Sequence, residues 1–240
     1  DCGCGRGFHL MALSRLVPGH VCGLDHDLES LSFAQKHLSG HDPGLCLGDV
    51  HRLPYEDGFF DKVLLIEMLE HLRDDLGGLR EVRRVMKPGG ILAASVPYRD
   101  YPFLFDPVNR VWEKMTGHPI RNGLFAGMWT DHQRLYDREG FLELVRRAGF
   151  EVLECEMLTH YCLPFTHNLV YGIGKGLFLR RALPGFVLDE VDRFHPRAGN
   201  RRALNPMTWL MRGIEWIDQF NRDVSGKSTF VNISVKARRP

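Results

Sequence analysis

The sequence predicts an α/β fold, a doubly wound and mostly parallel sheet with helices on both faces, and three observations predict it. Over the first 97 residues, short apolar runs alternate with helical patterns, as repeated β-α units do. Two of the early apolar runs lead into an acid, Asp25 and Asp49. A glycine-rich stretch, Asp1-Cys2-Gly3-Cys4-Gly5-Arg6-Gly7, runs straight into the first helical pattern. Acids and glycines placed in this way belong at the carboxyl ends of parallel strands, where open α/β sheets hold their ligands.

Each element follows from local signals. Leu10, Leu13 and Val17 recur at helical spacing, and Pro18-Gly19 ends that helix. Val21 to Asp25 is a short buried strand, Leu28 to Leu38 a second helix, and Leu45 to Leu47 another strand. Asp61 to Ile66 is apolar and β-branched, as a strand covered on both faces requires. Leu79, Val82, Val85 and Met86 line a helix stopped by Lys87-Pro88-Gly89-Gly90, and Ile91 to Val96 is the next strand. Residues 98–136 lack a clean period. Asp137 caps a helix with Phe141, Leu144, Val145 and Ala148 on one face, followed by a strand from Phe150 to Met157. A last strand, Thr229 to Val235, follows the long stretch 160–226. In that stretch Asn205-Pro206 starts a helix. Leu210, Ile214 and Ile217 form one apolar stripe on it and Trp209, Trp216 and Phe220 another, so it is expected to be covered on both sides.

Composition narrows the function. The 240 residues are 44% hydrophobic and 25% charged, as in an ordinary globular protein. A formal net charge of +1 gives no bulk attraction to nucleic acid. No apolar run approaches the roughly 20 residues needed to span a bilayer. The six cysteines lack the paired C-x2-C spacing of zinc sites and read as small buried thiols; no metal site is expected.

The glycine loop carries the chemistry. Alternate glycines let the backbone turn sharply and approach a ligand that a Cβ would keep away. Its register is D-x-G-x-G-x-G rather than the G-x-G-x-x-G of dinucleotide enzymes, which disfavours an oxidoreductase. Asp25, at the end of the next strand, is placed to accept two ribose hydroxyls, and Asp49 to accept an adenine amino group.

Together with Leu53-Pro54-Tyr55-Glu56-Asp57-Gly58-Phe59-Phe60-Asp61, Glu67-Met68-Leu69-Glu70-His71-Leu72, Met86-Lys87-Pro88-Gly89-Gly90 and His132-Gln133-Arg134-Leu135-Tyr136, these residues resemble the class I S-adenosylmethionine-dependent methyltransferases, in particular the type 11 group. The resemblance covers about two-thirds of the chain. It implies a Rossmann-like sheet of seven strands, parallel except for a last strand (228–236) inserted antiparallel beside the fifth. It implies a single domain over 1–240 whose first strand lies largely upstream of Asp1, so that the chain is expected to be N-terminally truncated and either unstable or a poor cofactor binder. Gly3 and Gly5 would approach the methionine portion of S-adenosylmethionine, with Asp1 near its amino group. Asp25 would hold the ribose, His26 would lie against the adenine, Asp49 and Val50 would sit at the adenine edge, and Glu67 would line the methionine end.

The implied reaction is in-line displacement of a methyl group from a sulfonium. A hydroxyl acceptor would also need a base, for which His132 is favoured, with His71, His160 and His167 as the other candidates. No Asn- or Asp-Pro-Pro-aromatic segment follows the fourth strand, and no cysteine lies near strands four or five, so nucleic-acid amine and base-carbon methylation are disfavoured. The stretches 98–136 and 160–226 hold all four tryptophans and are expected to form the acceptor-binding lid. The expected acceptor is a small or lipid-like molecule and the expected location the cytoplasm. Peripheral membrane contact through 160–226 is a sharper reading of the same residues. The alternative function is a catalytically idle, methyltransferase-like binding subunit.

Overall fold

The computed structural model of the chain describes residues 1–38, 43–123, 125–165, 206–224 and 226–240. In chain order the longer elements are α1 (Phe8–Leu16), β1 (Cys22–Asp25), α2 (Leu28–His37), β2 (Gly44–Leu47), β3 (Phe60–Ile66), α3 (Asp75–Val85), β4 (Met86–Pro97), α4 (Pro107–Thr116), α5 (Arg138–Arg147), β5 (Glu151–Leu158), α6 (Pro206–Asp218) and β6 (Asn232–Arg238). They divide between two compact units, one made of Asp1–Val96, Tyr136–Glu156 and Ser234–Pro240, the other of Pro97–Leu135 and Met157–Ile233. His167 and Asn205 lie outside the described residues.

Helix starts are set by side-chain chemistry. Asp27, Asp74, Asp106 and Asp137 cap α2, α3, α4 and α5, each accepting a hydrogen bond from a first-turn N–H. Such a cap contributes about 1 kcal/mol relative to alanine. Helix α1 is different: it begins at Gly7, with φ of 85° and no side-chain cap.

In the first unit β1 and β2 pair in parallel, with Asp25 opposite Leu47. β3 and β4 also pair in parallel, with Ile66 opposite Ser95, and the four-stranded sheet runs β3-β4-β6-β5. The register shifts between the Phe60–Met86 and Lys62–Ile91 pairs, so Lys87 to Gly90 bulge within β4 rather than preceding it. β6 runs against its neighbours. The Gly89 N–H donates to the Arg239 carbonyl and the Tyr98 N–H to the Val231 carbonyl, partners that descend as β4 ascends. On the other side Lys236 meets Glu154 at 2.7 Å and Arg238 meets Glu151 at 2.6 Å.

The reversed last strand is therefore as the sequence predicts, but the described residues hold six strands rather than seven. Among the described residues, the start of the chain stands between β1 and β3. Cys2 forms a parallel bridge with Leu24, and its N–H donates to the Leu64 carbonyl at 2.9 Å. One residue's worth of pairing thus joins the two sheets. The core is the predicted apolar stripes: Leu79, Val82 and Val85 of α3 and Phe141 and Val145 of α5 are buried to within 1% of full burial, beside Leu65 and Leu92 of the sheet.

The segment Leu53–Phe60 is held by one guanidinium. Arg84 donates to the Leu53 and Tyr55 carbonyls, to Asp57 and to Glu81, while Glu81 accepts from the Leu53 N–H at 2.9 Å. These bonds hold Arg84 firmly in its charged form and Glu81 below the usual carboxylate range.

The second unit has its own core, Tyr101, Phe105, Met128, Leu135 and Val231, with Trp129 and Cys162 packed against it. Helix α4, in the stretch that shows no clean period, is fixed by two fully buried polar side chains. Asp106 accepts from the Asn109 and Met128 N–H groups, and Asn109 in turn bonds both backbone groups of Ile120 and the Ala126 carbonyl. Burial raises the Asp106 carboxyl above its ordinary range even with these donors. Helix α6 departs from expectation: Trp209 and Trp216 are about three-fifths exposed and Leu210 nearly half. Apolar periodicity records which faces of a helix avoid water, not whether this chain supplies the cover.

Asp106→Ala should lower stability by about 2–3 kcal/mol, because it removes a cap and leaves the Met128 N–H buried and unpaired. Asp106→Asn, which keeps an acceptor, should lose less. All four tryptophans lie in this unit, so urea denaturation followed by tryptophan fluorescence reads it; equal curves for wild type and Asp106→Ala would refute the latch.

Candidate functional site

The glycine loop and the end of β1 form one interlocked structure. Gly3, Gly5 and Gly7 all have positive φ, at 81°, 49° and 85°, where a Cβ costs roughly 1–2 kcal/mol. The Gly3 and Cys4 N–H groups both donate to the Leu24 carbonyl, and the Gly5 N–H donates to Asp25 Oδ2 at 2.7 Å. Asp25 Oδ1 accepts from the Asp27 N–H at 2.9 Å. The carboxylate, only 7% exposed, is thereby fixed by two backbone donors. Each oxygen keeps a second lone pair, so two further donors such as vicinal ribose hydroxyls can be accepted.

The three glycines have different reasons. A Cβ on Gly7 would stand 2.8 Å from Leu38 Cδ1 and 3.0 Å from Ala34 Cβ, so this glycine lets α1 pack on α2. On Gly3 it would stand 2.7 Å from Met68 Cγ, which brings the loop against the turn after β3. On Gly5 it would meet nothing within 4 Å. That open face beside Asp25 is the cradle a ligand would fill. Asp1 contributes a buried carboxylate oxygen, Oδ2, with no hydrogen-bond partner among the described residues, as a site for a ligand ammonium would have. These features fit the methionine and ribose portions of S-adenosylmethionine.

The remaining predicted residues line the other strand ends. Glu67 follows β3 with φ of 50° and accepts from Ser95 Oγ at 2.7 Å. A non-glycine residue in this conformation is held there by its surroundings. Val50 is buried at 3% exposure. Asp49 lies after β2 with its carboxylate largely exposed; the His51 N–H and then its ring hold its pKa below the usual carboxylate range. His26 is more than nine-tenths exposed, with Nδ1 3.5 Å from Asp25 Oδ1. His71 closes a short 3-10 turn, Leu69–His71, with Nε2 3.8 Å from Glu70. His132 belongs to the second unit, where its N–H donates to the Trp129 carbonyl and its carbonyl accepts from Arg121. His160, also there, has Nδ1 tied to Thr229 at 2.7 Å.

Two features escaped the sequence. Glu70 is fully buried, and burial followed by the nearby Glu67 charge pushes its carboxyl up to about 9, so it is protonated at neutral pH. His51 grips Asp49, and nothing in its spacing marks it out. The thiols of Cys2 and Cys4 are raised to about 12 and about 11, chiefly by burial; they are packing groups, not nucleophiles.

Gly5→Ala and Gly7→Ala should separate recognition from folding. Gly7→Ala is expected to lose about 2–3 kcal/mol of stability, from its backbone conformation and its overlap with Leu38. Gly5→Ala should lose about half as much, yet weaken binding of S-adenosylhomocysteine by at least about tenfold. Calorimetric titration with thermal melts decides it: a Gly5→Ala protein that binds like wild type contradicts the cradle.

Residues 1–94 match the family described as methyltransferase domain. An uncharacterized 37.1 kDa protein in transposon TN4556 of Streptomyces fradiae is 35% identical over 135 residues, 52% of this chain and 39% of that one. Demethylmenaquinone methyltransferase of Staphylococcus haemolyticus is 29% identical over 171 residues, 66% of this chain and 70% of that one. The chain thus spans about two-fifths of the first relative and rather more than two-thirds of the second. Among solved structures, a putative methyltransferase from Bacillus halodurans has a TM-score of 0.57 at 18% identity, covering 100% of this chain and 91% of that one. The 4+2 cyclase SpnF has a TM-score of 0.57 at 20% identity, covering 100% and 74%. With the glycine loop and strand-end acids, these findings show that residues 1–94 carry a methyltransferase domain and that the chain is similar to the class I S-adenosylmethionine-dependent methyltransferases of the type 11 group.

Proposed function

We propose that the protein transfers the methyl group of S-adenosylmethionine to a small or lipid-like acceptor. The observation that carries the reading is the Gly5–Asp25 lock beside an open glycine face. Bound there, the cofactor supplies an electrophilic methyl group on a sulfonium. The chain's own task is alignment and exclusion of water. Asp25 orients the ribose, Asp49 and Val50 take the adenine edge, and Asp1, Gly3, Gly5 and Glu67 take the methionine end. His26 flanks the ribose and adenine. His132 and His71 are the proposed bases for a hydroxyl acceptor.

The lipid-like acceptor rests on two supports. The Staphylococcus haemolyticus relative is named for demethylmenaquinone. The second unit leaves Trp112, Met115, Phe125, Trp209 and Trp216 exposed, side chains that an apolar ligand could cover. Peripheral membrane contact through 160–226 is part of the same proposal, and among the described residues no helix is long and apolar enough to cross a membrane. The idle-subunit reading has one favouring observation: a cyclase shares the fold, and fold does not fix chemistry.

The test is transfer of labelled methyl from S-adenosylmethionine to a demethylated quinol in detergent micelles. Label in the organic phase is expected, with His132→Ala and His71→Ala each lowering turnover more than cofactor affinity. Tight binding of S-adenosylhomocysteine without label transfer to the quinol or to a lipid extract would contradict the activity and favour the idle reading.

A further inference from the structure

His51 has both ring nitrogens facing acceptors. Nδ1 lies 2.9 Å from Asp49 Oδ1, and Nε2 lies 2.8 Å from the carbonyl of Asp74, the cap of α3. A neutral imidazole carries one N–H, so it can donate to only one of these oxygens, and its other lone pair would face the second. The imidazolium donates to both. The same Asp49 oxygen also accepts from the His51 N–H at 2.9 Å. One carboxylate oxygen therefore takes both bonds, and Oδ2 is left to face a ligand.

The His51 ring lies beside the start of α3. A Cβ on Gly78, in the first turn of α3, would be in ordinary contact with Val50 Cγ1 at 3.6 Å and His51 Nε2 at 3.9 Å, and would overlap Leu72 Cδ1 at 2.8 Å. The charges facing the ring are the carboxylates of Asp49 and Asp74, and both favour the cation. Burial opposes it, yet the bonds to Asp49 and Asp74 hold the His51 pKa above its ordinary value. His26 is the other histidine that acts on Asp49.

We propose that His51, as an imidazolium, is the positioning residue that aims Asp49 at the adenine amino group, so that cofactor affinity is linked to a proton on His51. The proposal rests on the reading that Asp49 meets the adenine. Because the folded ring is easier to protonate than a free histidine, the bridge is complete below the ordinary histidine range. It is lost as pH rises through the raised value, when one of the two bonds breaks.

Two measurements test this. In 15N spectra of histidine-labelled protein at pH 6.5, without ligand, both His51 nitrogens should carry protons; a neutral tautomer there overturns the proposal. Calorimetric titration with S-adenosylhomocysteine from pH 6 to 9 should show a loss of about three- to tenfold across the His51 titration, the effect expected of one charge-assisted hydrogen bond acting through another group. His51→Gln should bind at the weak, alkaline level throughout, while His26→Gln should keep the step. A step that survives in His51→Gln, or vanishes only in His26→Gln, overturns the proposal and leaves the cofactor site standing. Failure of wild type to bind at any pH overturns both.

Discussion

The hydrogen bond from the Gly5 N–H to Asp25 joins the glycine loop to the end of β1. Everything at the site depends on it. Gly5 can make the bond because it sits at positive φ, and Asp25 can receive it because β1 ends there, pinned by the Asp27 N–H. The same geometry sets α1 on its course from Gly7 and brings Gly3 against Met68 beside Glu67. A buried carboxylate is tolerated only when donors satisfy it. Here backbone donors hold it in place and leave lone pairs for a ligand.

A buried charge in one place is matched by a buried proton in another. Glu70 lies three residues from Glu67, and burial first, then the Glu67 charge, favour its protonated form. Glu70 takes the proton, and Glu67 is the partner that accepts from Ser95 Oγ. Asp106 in the second unit shows the same pressure toward the neutral form from burial, relieved in part by the Met128 and Asn109 donors. The protein thus uses acids in two ways: as exposed or backbone-locked charges at the strand ends, and as largely dehydrated braces where chains turn.

Much of this was legible in the sequence because it depends on local chemistry. The parallel strands ending at Asp25 and Ile66, the Asp137 cap and the stripe of α5 follow from period and end signals. Helix α4 was legible and missed: Asp106-Pro107 is a start signal, and Val108, Val111, Trp112 and Met115 follow at helical spacing. What hid it was the exposure of its apolar face, which blurs the contrast between inside and outside. The His51–Asp49–Asp74 bridge was not legible, since it joins residues more than twenty positions apart through a turn and a helix cap. The protonation of Glu70 was equally hidden, because it depends on burial that no spacing reveals. The described residues hold six strands rather than seven, with an isolated parallel bridge between Cys2 and Leu24.

The central claim is that the open glycine face and the Asp25 carboxylate together form the cofactor site. A crystal structure of the protein soaked with S-adenosylhomocysteine tests it most directly. The account predicts the ribose hydroxyls within hydrogen-bonding distance of Asp25, the ligand chain over Gly5, and the Gly5–Asp25 bond retained. A ligand seated elsewhere, or a ribose turned away from Asp25 with the loop unchanged, would contradict it.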